Sequence, residues 1–125
     1  MKRLSIQSVF VVSLLLSSIA TASNFPTEKP VGGKPFGYST TNISEGLYVF
    51  RWWVYRNIFL VTDEGVIVTD PMNPKVANQL LSEIRKITDK PIKYVIYSHN
   101  HHDHISGGKV FKDEGATVIA HKNVL

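Results

Sequence analysis

The chain has 125 residues, of which 43% are hydrophobic and 19% charged, with a formal net charge of +4 and no cysteine. That composition belongs to a globular chain of one domain at most and excludes a disordered or fibrous one. Without cysteine there are neither disulfide staples nor thiolate metal ligands, and the lysines and arginines are too scattered to make the basic stripe of a nucleic-acid-binding surface.

The amino terminus reads as a targeting segment. Lys2 and Arg3 form a positive start, Val9 to Leu16 an apolar core interrupted only by Ser13, and Ala20-Thr21-Ala22 a small-residue cleavage pattern. Residues 1–22 are therefore expected to be a secretory signal peptide, which places the mature protein in the periplasm or outside the cell. No membrane anchor remains after cleavage, because the apolar run falls short of the roughly 20 residues that span a bilayer. Losing Lys2 and Arg3 lowers the net charge by two, to +2. Residues 23–45 carry Pro26, Pro30, Pro35, Gly32, Gly33 and Gly37 without helical or strand periodicity, and read as an extended leader. Ordered structure is expected from about Gly46, giving a domain over residues 46–125.

From there the runs LYVFRWWVY, IFLVT and VIVTD are rich in β-branched and aromatic residues. Arg56-Asn57 and Asp63-Glu64-Gly65 are the turn signals between them, so three strands joined by short turns are predicted. Trp52, Trp53 and Tyr55 fit sheet surface or core better than a lip over a pocket. After Asp70-Pro71 the period changes: Asn73 can cap a helix, Pro74 suits its first position, and Val76, Leu80, Ile84 and Ile87 share one stripe. A helix over residues 74–88 follows, and then IKYVIYS (92–98) as a buried strand joined to the preceding one through a right-handed crossover. GGKVFKDEG predicts a short helix and TVIA a further strand.

Four of the five histidines fall between these last elements, in SHNHHDHISGG. Ligands of open α/β sheets gather beyond the carboxyl ends of strands. Asp70 ends one predicted strand and His99 follows another, so both are expected on the same sheet edge. His99 and His101, two apart in an extended segment, project to one side and can close on one ion. Asp103 and His104 lie where the chain turns and can face a neighbouring position. Imidazole and carboxylate suit zinc, and also iron or manganese. Gly107 and Gly108 permit a sharp turn and close approach.

The spacing H-x-H-x-D-H over His99, His101, Asp103 and His104 resembles the signature of the metallo-β-lactamase-fold hydrolases, which include β-lactamases, glyoxalase II, lactonases, alkylsulfatases and nucleases. The resemblance extends to Asp70 at a strand end before a helix, to the glycines after the motif, and to the element order from about residue 46 onward. It implies an α/β fold, the amino-terminal half of an αββα metallo-β-lactamase-like sandwich. It further implies two zinc ions, the first on His99 and His101 and the second on Asp103 and His104, with Asp70 a buttressing acid. Asp103 takes a catalytic role, orienting a zinc-activated hydroxide that attacks an ester, amide, lactone or similar bond of a small-molecule substrate. His102 occupies an open position of the motif and is expected to turn away, and His121 has no partner in it. Ser98 and Ser106 lack the surroundings of an activated nucleophile.

The family's remaining ligands, two histidines and a bridging aspartate, match no position here. The resemblance therefore implies an amino-terminal part of a longer protein, with one sheet face uncovered and poor stability on its own. Two other classes share the ligand set: an iron-dependent oxidoreductase of the same fold, which metal identity distinguishes, and a non-catalytic histidine-rich metal-binding segment. The buried strand before the motif and the Gly-Gly after it favour the hydrolase.

Overall fold

A computed structural model describes residues 37–124; residues 1–22, read as a signal peptide, and most of the stretch read as leader lie outside the described residues. Six strands form one sheet in the order β1-β2-β3-β4-β5-β6, the same as their order along the chain. They are β1 (Tyr38–Ser44), β2 (Leu47–Trp52), β3 (Tyr55–Val61), β4 (Val66–Thr69), β5 (Ile92–Ile96) and β6 (Thr117–Ile119). Helix α1 (Pro74–Ile87) joins β4 to β5, and α2 (His102–Ile105) and α3 (Gly108–Asp113) join β5 to β6. The first four strands are antiparallel, while β4–β5 and β5–β6 are parallel, as a strand–helix–strand connection requires.

Two sequence expectations are corrected. The sheet begins at Tyr38, inside the stretch read as leader, because residues 38–44 pair with β2 through a turn at Glu45-Gly46, where Gly46 has φ +69°. β1 is a polar edge strand fastened by side chains, with Thr40 Oγ1 donating to Glu83 Oε2 at 3.2 Å and Tyr38 stacked on Phe50 at 6.1 Å. Hydrophobic periodicity does not register such a strand. The turn between β2 and β3 lies at Trp53-Val54, where Trp52 pairs with Tyr55, and Trp53 is left-handed with φ 53°. Arg56 and Asn57 are in β3 instead, and Asn57 is buried with Nδ2 donating to the Asp70 carbonyl at 3.2 Å.

Helix α1 starts where Asn73 Oδ1 accepts from Val76 N at 3.1 Å, with Pro74 at the first position and Arg85 and Lys86 in the last turn. It buries Val76, Ala77, Leu80 and Ile84, whereas Ile87 is exposed at the helix end. These side chains meet Phe50, Phe59, Val66, Val68, Ile92, Val95 and Phe111 in one core. Burying Leu80 or Ile84 there stabilises the fold by roughly 1.5–3 kcal/mol each.

On the strands, residues alternate between this core and the opposite face. That face carries Ile58, Tyr94 and Ile119, which are 44%, 42% and 43% exposed. β5 breaks this alternation at its register shift against β4: Ile92 and Val95 are buried, and Lys93 and Tyr94 are exposed.

The connection from β4 into α1 is locked to the histidine loop. Met72 N donates to His104 O at 2.8 Å, and Gly107 N donates to Met72 O at 2.6 Å. This contact needs glycine: a Cβ at Gly107 would lie 2.7 Å from the Ala77 Cβ and the Pro71 carbonyl and 2.9 Å from the Asn73 carbonyl. Two of those three neighbours are backbone atoms, so the segments themselves would have to move. Gly107→Ala is accordingly expected to destabilise the fold by about 1–3 kcal/mol, as overpacking does. A denaturant midpoint equal to that of the unsubstituted chain would refute this packing.

Candidate metal centre

β4 and β5 run parallel in a register that pairs Thr69 with Ile96, so the residues just past both strands emerge together at one edge. There Asp70 meets Ser98. Ser98 N donates to Asp70 Oδ1 at 2.8 Å and Ser98 Oγ donates to Asp70 Oδ2 at 2.6 Å. The same hydroxyl oxygen lies 2.8 Å from His99 Nδ1. A carboxylate only accepts, and a serine has a single hydroxyl proton. With that proton on the 2.6 Å bond, His99 Nδ1 must carry the hydrogen and donate to Ser98 Oγ. His99 Nε2 is then left with its lone pair free.

Asp70 has φ +36°, an unfavourable backbone conformation for an aspartate. It is held by Asp70 N donating to Ile96 O at 3.0 Å as well as by Asn57 and Ser98. The strain is thus fixed where it aims the side chain at the loop.

His101 is extended, with φ −68° and ψ 129°, and stands at the cap position before the single helical turn α2. The rings of His99 and His101 have centroids 4.6 Å apart, and those of His99 and His104 4.3 Å apart. Successive residues in a helical turn diverge by about 100°. This separates Asp103 from His104. His104 turns inward, with Nδ1 at 3.9 Å from Asp70 Oδ2 and Nε2 at 3.8 Å from Asp103 Oδ2. Asp103 faces outward and accepts a hydrogen bond from the Tyr55 hydroxyl at 3.0 Å.

That bond holds the Asp103 carboxyl below the usual carboxylate range against the opposing effect of burial, with its own amide and the His104 and His101 charges adding to it. The same bond, and the carboxylate charge behind it, raise the Tyr55 phenol above its ordinary value.

Among the described residues, one group can bring its ligand atoms within 4.8 Å of one another: Asp70, His99 and His104. His101 stands beside it through its ring contact with His99, and Asp103 through its approach to His104. His102 is exposed, and its carbonyl accepts from Ser106 N at 3.1 Å. His121 accepts from Asn123 N at 3.3 Å, a local cap away from the motif.

Two participants escape a reading of the sequence. Ser98 sits between a carboxylate and an imidazole as a bridge rather than an activated nucleophile, since His99 donates to its oxygen, and its position after β5 opposite Asp70 after β4 was the available signal. Tyr55 lies 48 residues from Asp103 and reaches it only because β3 is brought alongside β4. Its ring stacks on Trp52 at 5.8 Å and meets His104 edge-on at 5.6 Å. Tyr55 therefore borders the site rather than serving only as sheet surface or core.

An α/β sheet with a nitrogen- and oxygen-donor cluster at the carboxyl ends of its parallel strands is the setting of a candidate metal centre. Residues 51–124 match the family model of the Metallo-beta-lactamase superfamily, and the chain belongs to that superfamily. It is 29% identical over 114 residues to metallo-beta-lactamase IND-1 of Chryseobacterium indologenes, covering 89% of this chain and 46% of that protein. It is 46% identical over 52 residues to a linear primary-alkylsulfatase of Pseudomonas sp. (strain ATCC 19151), covering 41% of this chain and 10% of the relative. The crystal structure of metallo-beta-lactamase FIM-1 from Pseudomonas aeruginosa in its mono-zinc form shares the fold, with a TM-score of 0.62 and 16% identity over 70% of this chain and 43% of that one. The chain thus spans less than half the length of these relatives.

The tautomer assignment can be checked by long-range ¹H–¹⁵N spectra of the imidazoles. His99 is expected as the Nδ1–H form in the unsubstituted, metal-free chain, with Ser98→Ala shifting it toward Nε2–H. An Nε2–H form already dominant before substitution would contradict the hydrogen-bond order.

Proposed function

We propose that the chain is the metal-binding amino-terminal part of a metal-dependent hydrolase, which cleaves an ester, amide, lactone or similar bond of a small-molecule substrate with a zinc-activated hydroxide. The observation that carries this reading is the gathering of His99, His101, Asp103 and His104 around Asp70 at the edge of the parallel strands. Imidazole nitrogen with carboxylate oxygen and no thiolate fits zinc, whereas magnesium and calcium take oxygen donors. Similarity to proteins named as a β-lactamase and an alkylsulfatase, and to a mono-zinc β-lactamase structure, supports the same class.

In this reading His99 and His101 hold one zinc ion, and Asp103 and His104 a second. Asp70 acts as a buttress, since each of its carboxylate oxygens already accepts a hydrogen bond from Ser98. Bound zinc lowers the pKa of water toward about 7, making hydroxide available at neutral pH. Asp103, with 55% of its side chain exposed, accepts a hydrogen bond from the attacking water and orients it. Trp53 and Val54, at the exposed tip of the β2–β3 hairpin, give the substrate an apolar contact beside Tyr55.

The uncovered sheet face bearing Ile58, Tyr94 and Ile119 is where the remainder of the complete protein packs. The signal-peptide pattern of residues 1–22 directs the protein to the periplasm or the exterior. Among the described residues no helix is long and apolar enough to cross a membrane.

Elemental mass spectrometry of the purified chain tests the proposal. Zinc is expected at one equivalent or more, and His99→Ala combined with His101→Ala is expected to remove most of it. A metal-free chain, or zinc indifferent to the substitutions, would overturn the assignment of these ligands.

A further inference from the structure

Asp103 has little of its own to hold it. It stands on a helical turn of four residues, its side chain is more exposed than buried, and its other side-chain neighbour in the cluster is His104, at 3.8 Å. What fixes the carboxylate is the Tyr55 hydroxyl, 3.0 Å from Oδ2. Tyr55 is itself braced, stacked on Trp52 at 5.8 Å and packed against His104 at an interplanar angle of 67°. It also begins β3, paired with Trp52 across the two-residue turn, so its backbone is tied to the sheet rather than to the loop.

We propose that Tyr55 is a positioning residue for a bound divalent cation. It holds Asp103 Oδ2 in a hydrogen bond so that Oδ1 is presented to the ion, and its ring edge keeps the His104 imidazole in place. This rests on the reading of Asp103 and His104 as metal ligands. A carboxylate that swings freely must be ordered when the ion binds, at a cost in affinity, whereas one already held by a phenol on the sheet is preorganised. Outer partners of metal ligands commonly change affinity by roughly 10- to 100-fold when removed.

The test is a zinc titration of the full chain against a chromophoric chelator, with Tyr55→Phe, Asp103→Asn and the double variant. Phenylalanine keeps the ring that stacks on Trp52, so the hairpin is retained, and circular dichroism with thermal unfolding confirms folding for each protein. Tyr55→Phe is expected to weaken zinc binding by about tenfold. In the Asp103→Asn background the same substitution is expected to change affinity by less than about twofold, because the hydroxyl acts through the Asp103 carboxylate. Equal losses in both backgrounds, or no loss in either, would overturn the role of Tyr55 while leaving the metal site standing. An unsubstituted chain that binds no zinc would overturn the metal-site reading and this inference with it. If Tyr55→Phe fails to fold, Tyr55→Trp, which also removes the phenol but keeps a stacking ring, is read by the same criteria.

Discussion

Asp70 is held at the end of β4 by hydrogen bonds from several directions. Its N–H donates to Ile96 O, its carbonyl accepts from Asn57 Nδ2, and its two carboxylate oxygens accept from the amide and hydroxyl of Ser98. Together they stabilise a left-handed backbone that on its own costs about 1–3 kcal/mol. The site is built around this point. The bonds to Ser98 set the start of the histidine loop, Ser98 orients His99, and the Asp70 side chain forms one wall against His104. The residues that follow tie the loop down from the other side, through Met72 bonded to His104 and Gly107.

The loop then divides its side chains by changing conformation midway. His99 lies in a bend just past β5 and His101 in extended backbone, whereas Asp103 and His104 belong to a helical turn, where neighbouring residues point in different directions. Inward His104 joins the cluster at the strand ends, and outward Asp103 is met by a tyrosine from another part of the sheet. Tyr55 of the β2–β3 hairpin therefore supports the centre at Asp103, while Gly107 and Gly108 at the start of α3 support the loop at its other end. Gly108 contributes to the latter by leaving room for the Tyr97 ring, which a Cβ would strike.

Much of this was legible in the residues. Asn73-Pro74 and the stripe of Val76, Leu80 and Ile84 marked α1 to within one residue, because capping and periodicity are local properties. Asp70 and His99 were placed on one edge because parallel strands joined by a helix must end together. β1 was missed because its side chains are held by pairing and by Glu83, not by an alternating apolar pattern. The hairpin turn was misplaced because Trp53 adopts a left-handed conformation that glycine or asparagine normally signals. Tyr55 and Ser98 as partners of Asp103 and of Asp70 with His99 depend on contacts across 48 and 28 residues, and spacing within a motif carries no information about such contacts.

The candidate ligands and the exposed apolar residues Ile58, Tyr94 and Ile119 are both set by the one sheet that Asp70 terminates. In the proposed function the histidine loop, as Asp70 arranges it, is a zinc centre of nitrogen and oxygen ligands. Zinc-edge X-ray absorption on the zinc-loaded chain measures this directly. Two or more imidazoles in the outer-shell scattering, diminished by Asp70→Ala, are the predicted result. Zinc with only water and carboxylate scattering, unchanged by loss of Asp70, would contradict the account.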